Sequence, residues 1–521
     1  MKQYNNYADL ITFTRASRGT ALRPISYGDE LVENGTFDTD VSGWNPINTD
    51  ISWDASGKMQ ITGNGVNAYG RVTQNISTTI GSVYSLSLDY TRVSTSLSVE
   101  APNGNILFDP VLVASGSYQA FFVATDTTTT ILLKQVNDVN ADLLVDNVSV
   151  REVLFDQPDG TLTLFNHPTN IPRIEYDADG NRLGLLVEEA RTNLITYSNP
   201  TNGQWTVAQG TVDENDAASP DGFTSASTYK TNTSNAEHYT EDLVSVTSGT
   251  QYTFSVYLKK KGYDTACIRI PAIGFVDNAY FIFNFDTKQI TTSVGTMDSY
   301  GVEDVGNGWL RAYMVRTANA SAGALFRVHA KQPTAFTGDG DSGAYIYNAQ
   351  VEVGSFMTSP IPTSGSTATR SADVASIGVS EFGFNSSEGT LFVDLSNAEI
   401  INGARVLNFD SGSEDNMIAI FIKGSNLAIY NRGDAVTSVN NAIGAIVENT
   451  KIAYAFTDDD YVGVGDGVVE ATDSSGVLAN NISTLHIGKR RSGVNLMTGH
   501  IKSIKYYPRR LTNAQLQELT S

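Results

Sequence analysis

The chain has 521 residues, too many for one hydrophobic core, and its length suggests about three domains of ordinary size. A formal net charge of -22 repels phosphate backbones and anionic lipid alike, which argues against nucleic acid as a partner and against membrane insertion. The single cysteine, Cys267, excludes an intrachain disulfide and a cysteine-based zinc site, and no stretch approaches the ~18 to 20 apolar residues of a membrane span.

Thr, Val, Ile, Tyr and Phe recur between clusters of Gly, Asn, Asp and Ser, which predicts an all-β chain. Residues 1–29 open with no positively charged start or apolar run and hold one short alternating strand at 9–17, too little to fold alone. A phrase that recurs begins at Leu31-Val-Glu-Asn-Gly-Thr-Phe37 and reaches Trp44; its second copy begins at Leu194-Ile-Thr-Tyr-Ser-Asn-Pro200 and reaches Trp205. Each opens a β-rich stretch that also closes alike, on Leu143-Leu-Val-Asp-Asn-Val-Ser-Val150 and on Ala344-Tyr-Ile-Tyr-Asn-Ala-Gln-Val-Glu-Val353. The pattern predicts one β-sandwich used twice, at 30–153 and 191–356, with opening and closing segments side by side.

Strands are predicted in the first unit at 83–90 and 118–124, and in the second at 251–258 and 279–285. Between the units, residues 154–190 carry turn signals at Gln157-Pro-Asp-Gly160 and Asp177-Ala-Asp-Gly180, and read as a strand-turn element pairing with 9–17 in a split anchoring module of 1–29 and 154–190. Residues 357–380, rich in Pro, Ser, Thr and Gly, read as a linker. A third β domain over 381–521 has predicted strands at 389–395, 417–423, 450–456 and 499–508, then a helical turn at 512–519 capped by Thr512.

No catalytic constellation emerges. Gly340-Asp-Ser-Gly343 copies part of a trypsin-like nucleophile loop, but no histidine motif accompanies it and a Gly/Asp turn is the simpler reading. Asp339 and Asp341 have the spacing that begins a calcium loop, without a Glu at the twelfth position. The five histidines never fall at a metal-ligand spacing. Glycan binding draws on aromatic faces and polar side chains, and the best candidates are Trp53, Tyr69 and Tyr118 in the first unit and Tyr229, Tyr239 and Tyr280 in the second.

The phrase Glu33-Asn-Gly-Thr-Phe37 with Ser42-Gly-Trp44 and Val145-Asp-Asn-Val148 resembles carbohydrate-binding jelly rolls of the calcium-containing xylan- and glucan-binding type. The resemblance implies a structural calcium, with Glu33, Asp38 and Asp146 as the matching positions. Tyr345 to Glu352 resembles the closing strand of the same superfamily, without the acidic opening residue. Leu485-His-Ile-Gly-Lys-Arg490 and the segment 499–516 resemble concanavalin-like (laminin G-like) sandwiches.

Several phrases in order, Phe13-Thr-Arg-Ala-Ser17, Pro172-Arg-Ile-Glu-Tyr-Asp177, 184–194, 358–365 and Thr369-Arg-Ser-Ala-Asp373, resemble a set shared by virion proteins of tailed bacteriophages. That implies a non-enzymatic structural and adhesion protein, folded in the host cytoplasm and carried on the virion surface. Its implied partners are capsid, tail or baseplate proteins and host surface glycans, with a homo-oligomer such as a trimer supplying avidity. The alternatives are a virion-borne polysaccharide depolymerase and a purely architectural spacer or cement protein.

Overall fold

The computed structural model describes residues 11–101, 104–105, 112–493 and 495–521. Strands dominate, and the one α-helix among the described residues is Asn513–Thr520, capped by Thr512 in a reciprocal capping box with Gln515. No helix among them is long and apolar enough to cross a membrane. The chain is all-β: two jelly-roll sandwiches and a C-terminal β-sandwich. It divides into two compact units, residues 24–161 and residues 1–23 with 162–521.

Residues 24–161 form the first jelly roll. One sheet is four-stranded, in the order Asn45–Ile47, Arg71–Ser77, Thr128–Val136, Ser96–Glu100. In the facing sheet Asp142–Phe155 runs between Lys58–Gly63 and Val83–Arg92, and Val83–Arg92 pairs with Gly116–Ala124. Alternation buries one face of each strand, so Leu86, Leu88, Ile131, Leu133, Val145 and Val150 meet between the sheets.

The second jelly roll has two six-stranded sheets, one containing Gly343–Val353 between Thr224–Thr231 and Gln251–Lys261. Its core joins Phe254, Ile268, Phe281, Phe326 and Val351. Here the predicted duplication is visible atom by atom. The Leu31 amide donates to Val150 O at 3.0 Å and the Leu194 amide to Val351 O at 2.8 Å. The Val148 amide donates to Gly35 O at 2.9 Å and the Ala349 amide to Ser198 O at 2.7 Å. Trp44 donates its indole N–H to Asn34 O, and Trp205 its own to Tyr197 O. Both closing strands bulge at a left-handed asparagine, Asn147 with φ 49° and Asn348 with φ 44°. The opening phrases therefore lie beside their closing strands, held by isolated hydrogen bonds and a buried tryptophan rather than by a regular ladder.

The C-terminal sandwich stacks two seven-stranded sheets, and these take in part of the expected split anchor. Thr12–Thr14 extends one sheet by pairing with Val374–Gly378. The hairpin of Arg173–Tyr176 and Arg182–Val187 extends the other by pairing with Gly499–Tyr507. These two segments complete the C-terminal domain, and the expected contact between 1–29 and 154–190 is made beside them: Gly19–Tyr27 neighbours Thr161–His167 in one sheet, and Arg15 donates its amide to Asn170 Oδ1 and accepts the Asn170 amide. Thr12–Thr14 and the hairpin each bury an apolar side chain in the sandwich, Phe13 and Val187, beside Leu391, Phe409 and Ile487. Residues 1–10 of the expected anchor lie outside the described residues.

The expected linker is corrected, because it is bonded throughout. Ala368–Arg370 pairs with Arg191–Asn193, and Val374–Gly378 is a sandwich strand. Thr358 gives its amide and hydroxyl to the Glu352 carboxylate at 2.8 and 2.7 Å, and Ser359 does the same for Glu188 at 2.7 and 2.6 Å. Asn193 donates to Ala349 O and Ile361 O and accepts from Val351 N.

These bonds belong to a buried network joining the second jelly roll to the C-terminal sandwich. Arg15 reaches Asp373 at 3.0 Å, Arg173 bridges Asp373 and Glu188, and Arg370 approaches Glu188 at 3.4 Å. All five side chains are at most 3% exposed. Arg15 also donates to the carbonyls of Pro168 and Ile171, and Asp373 accepts the Glu188 amide.

Candidate functional site

The candidates in the first jelly roll divide by exposure. Trp53 is 44% exposed with its indole N–H fixed on Phe37 O at 2.7 Å, and Tyr69 is 51% exposed with the Lys134 ammonium 5.8 Å from its ring centre. Tyr118 is half-buried against Tyr90, its hydroxyl on Ala114 O. In the second jelly roll Tyr229 must be struck from the list of sugar platforms. It points into the core, fully buried, and its hydroxyl donates to Ala208 O at 2.6 Å. The Arg327 guanidinium lies 4.3 Å from the Tyr239 ring centre, and Tyr280 is half-buried on Ala279–Asn284.

The acidic residues assigned to calcium do not converge. Glu33 points outward while its backbone is held by Gln74, Asp38 accepts from the Thr36 hydroxyl, and Asp146 accepts the Asn147 amide. No group of three His, Cys, Asp or Glu side chains able to hold a metal exists among the described residues. The carboxylate that engages the closing strand is Glu30. It accepts the amides of Leu31, Val32 and Val150, the Ser149 hydroxyl and the Arg151 guanidinium. Reading the opening phrase one residue earlier would have found it.

Asp339 accepts the amides of Asp341 and Ser342, and Asp341 pairs with Lys261, which makes the Gly-Asp-Ser-Gly segment a closed turn. Burial pushes the Cys267 thiol far up, leaving it inert in the core. His329 is likewise a core residue. Burial, then the nearby Arg269 and Arg327 charges, lower its pKa to about 3. It stays neutral in the folded chain while the unfolded chain takes up a proton near pH 6.5, so stability is whole above that pH and declines as pH falls toward 3. Between pH 7 and pH 5 the expected loss is about 2 kcal/mol. Urea unfolding at both pH values, on the native chain and on His329→Gln, checks this; an equal pH slope in the two would contradict it.

The strongest site is a cavity of about 610 Å³ between the second jelly roll and the C-terminal sandwich. The jelly roll contributes Tyr257, Glu303, Arg311 and Tyr313; the sandwich contributes Glu175, Glu399 and His500. Sheet register places Tyr257 and Arg311 opposite each other on Gln251–Lys261 and Trp309–Thr317, and Glu303 opposite Arg311 on Ser299–Asp304. The Glu175 and His500 strands flank Arg182–Val187, so the hairpin delivered by residues 173–187 builds the opposite wall.

His500 Nε2 lies 2.6 Å from Glu175, whose second oxygen accepts the Leu22 amide. Arg311 is tied to Ser255 Oγ at 2.9 Å and Thr358 O at 2.7 Å, with its guanidinium 5.1 Å from the Tyr257 ring centre. Tyr257 is only 2% exposed, yet among the described residues its hydroxyl has no hydrogen-bond partner. Burial pushes that phenol up, with Arg311 opposing and Glu175 and Glu303 adding to the rise, so the hydroxyl stands among the cavity carboxylates.

Glu303 and Glu399 have no ion-pair partner among the described residues. Glu303 is an exposed residue that lines the cavity; the walls around it raise its carboxyl, Arg311 opposes this and Glu175 adds to it. Burial and then Glu303 raise the Glu399 carboxyl. Aromatic walls, an anchored guanidinium and polar groups lacking protein partners can hold a hydroxylated or charged ligand. Sequence reading missed this site because its residues come from distant segments with no motif in common.

Neither a protein-family profile nor a curated relative matches the chain. Among solved structures, it is similar to the CBM40 module of a Ruminococcus gnavus sialidase bound to α2,3-sialyllactose, at 14% identity and a TM-score of 0.24 over 26% of this chain and 84% of that one. The tandem CBM22 modules of Paenibacillus barcinonensis Xyn10C match at 13% identity and 0.22, over 63% of this chain and 98% of that one. Trypanosoma rangeli sialidase matches at 10% identity and 0.23, over 96% and 94%.

Proposed function

We propose that the chain is a saccharide-binding adhesion protein carried on the particle of a tailed bacteriophage, with the cavity between the second jelly roll and the C-terminal sandwich as its principal binding site. The observation that carries the binding reading is the Tyr257 hydroxyl, which has no hydrogen-bond partner among the described residues and shares the cavity with Glu303, Glu399 and an anchored Arg311. Exposed Trp53 and Tyr69 offer a second platform on the first jelly roll. The virion part rests on the ordered phrases resembling tailed-phage proteins, whose charged residues meet in the buried network. Repetition in a homo-oligomer such as a trimer turns weak contacts into avidity.

The test is a glycan array probed with the full chain and with Tyr257→Phe, which keeps the ring and removes only the hydroxyl. Retention of a defined saccharide class, weakened about 5- to 10-fold in the variant, is expected. A chain that retains no glycan is a spacer or cement protein, and absence from purified particles would remove the virion part. A second reading has its own support: Glu303 and Glu175 line the same cavity, and a carboxyl raised by its surroundings in company with a second carboxylate suits acid catalysis of glycoside cleavage. Release of reducing ends from surface polysaccharide, abolished by Glu303→Gln, would establish the hydrolase.

A further inference from the structure

Resting on the saccharide reading, we infer that the cavity selects an amino sugar, a saccharide bearing a free ammonium group, and that Glu303 and Glu399 hold the ammonium beside the Tyr257 hydroxyl. Glu175 is matched by His500, and Arg311 is anchored to the wall through Ser255 and Thr358. Glu303 and Glu399 are left facing the cavity from opposite domains, each without an ion-pair partner among the described residues and close enough for Glu303 to raise the Glu399 carboxyl. Glu303 is exposed and Glu399 half-buried, so the effect is one of like charge: two carboxylates lining one cavity repel, and a cation between them relieves that repulsion.

The kind of cation follows from the donors. No group of three ligating side chains is available to a metal among the described residues. A primary ammonium instead brings three N–H donors and no acceptor, matching two carboxylates and one phenolic oxygen. Tyr257 is the observation independent of the charges: its side chain is 2% exposed, it lines the cavity, and its hydroxyl is unpartnered. The size favours a sugar over a bare amine, since about 610 Å³ walled by Tyr257 and Tyr313 leaves room for rings and hydroxyls around the ammonium.

Isothermal titration of the full chain at pH 6.5 with a β-1,4-linked glucosamine tetramer, its fully N-acetylated counterpart and spermidine tests this. The glucosamine tetramer is expected to bind at least about tenfold more tightly than either, with Glu303→Gln and Glu399→Gln each weakening it about tenfold. Equal binding of the two tetramers would overturn the ammonium assignment while leaving the saccharide reading intact. Spermidine binding as tightly as the glucosamine tetramer would make the cavity an organic-cation site and overturn the sugar. No binding of either tetramer would overturn both the inference and the use of this cavity for saccharides. Both variants alter side chains that line the cavity and leave the five-residue buried network untouched, and unchanged melting would show that they fold.

Discussion

Replacing Asp373 by alanine is expected to destabilise the unit containing the second jelly roll and the C-terminal sandwich by about 3–5 kcal/mol, read as a lowered urea midpoint. Asp373 is fully buried and accepts from Arg15, Arg173 and the Glu188 amide. Removing it leaves the Arg15 guanidinium buried without a counter-ion and Arg173 with Glu188 alone, and the cost is set by that desolvated charge rather than by the worth of the lost bonds. Replacing Arg15, Arg173 and Asp373 together by apolar residues of similar volume is expected to cost much less than the single change. A single variant within about 1 kcal/mol of the native chain would mean that water or a shifted neighbour satisfies the arginines.

The same network has a pH signature. Burial alone would raise the Glu188 carboxyl, but Arg370, Arg173 and two hydrogen bonds from Ser359 outweigh burial and hold it far below the ordinary carboxylate range. The sign follows: a depressed carboxyl contributes stability that is whole above about pH 4.5 and is lost as pH falls from there toward the folded value. Acid unfolding of this unit is therefore expected to be less steep in Glu188→Gln than in the native chain.

What was legible in the sequence followed the range of the interactions. Strands such as Met417–Lys423 and Gly116–Ala124 declare themselves by local composition and alternation, and the helix by Thr512 and Gln515 three residues apart. The duplication was legible because its hydrogen bonds join short, similar phrases. The part that the anchor and linker segments play in the C-terminal sandwich was not legible because their partners there are remote: Arg15 and Asp373 are 358 residues apart, and nothing near Thr12–Thr14 signals that it edges a C-terminal sheet. Ser and Thr in 357–380 look like linker composition, but their hydroxyls bond buried carboxylates. Tyr229 was misassigned because Thr224–Thr231 is covered on both faces, Ala226 lying in one apolar cluster and Tyr229 in another, so the strand offers no outward side there. Glu303, Glu399 and Tyr257 become neighbours only when two domains meet.

The equivalence of the two jelly rolls yields the second large effect. Gly35 and Ser198 occupy the same place: each offers its carbonyl to the amide after the bulged asparagine, Val148 in one and Ala349 in the other. The side chains nevertheless differ for a physical reason. A Cβ on Gly35 would overlap the Val148 carbonyl oxygen, a backbone atom fixed by the closing strand, and would crowd the Val32 side chain. Ser198 has room for its side chain, and its hydroxyl donates to Thr363 O at 3.2 Å and accepts the Thr363 amide at 3.0 Å. Gly35→Ser, which imports the residue of the second repeat, is expected to destabilise the first jelly roll by about 3 kcal/mol, because relief requires moving the opening phrase off its strand. Ser198→Gly, the reciprocal change, loses a pair of hydrogen bonds without a clash and is expected to cost about 1 kcal/mol. Hydrogen exchange of the Val148 and Ala349 amides in the full chain separates the two effects locus by locus. Equal losses from both exchanges would show that the first jelly roll can move its opening phrase aside, and the close approach at Gly35 would then not be what fixes glycine there.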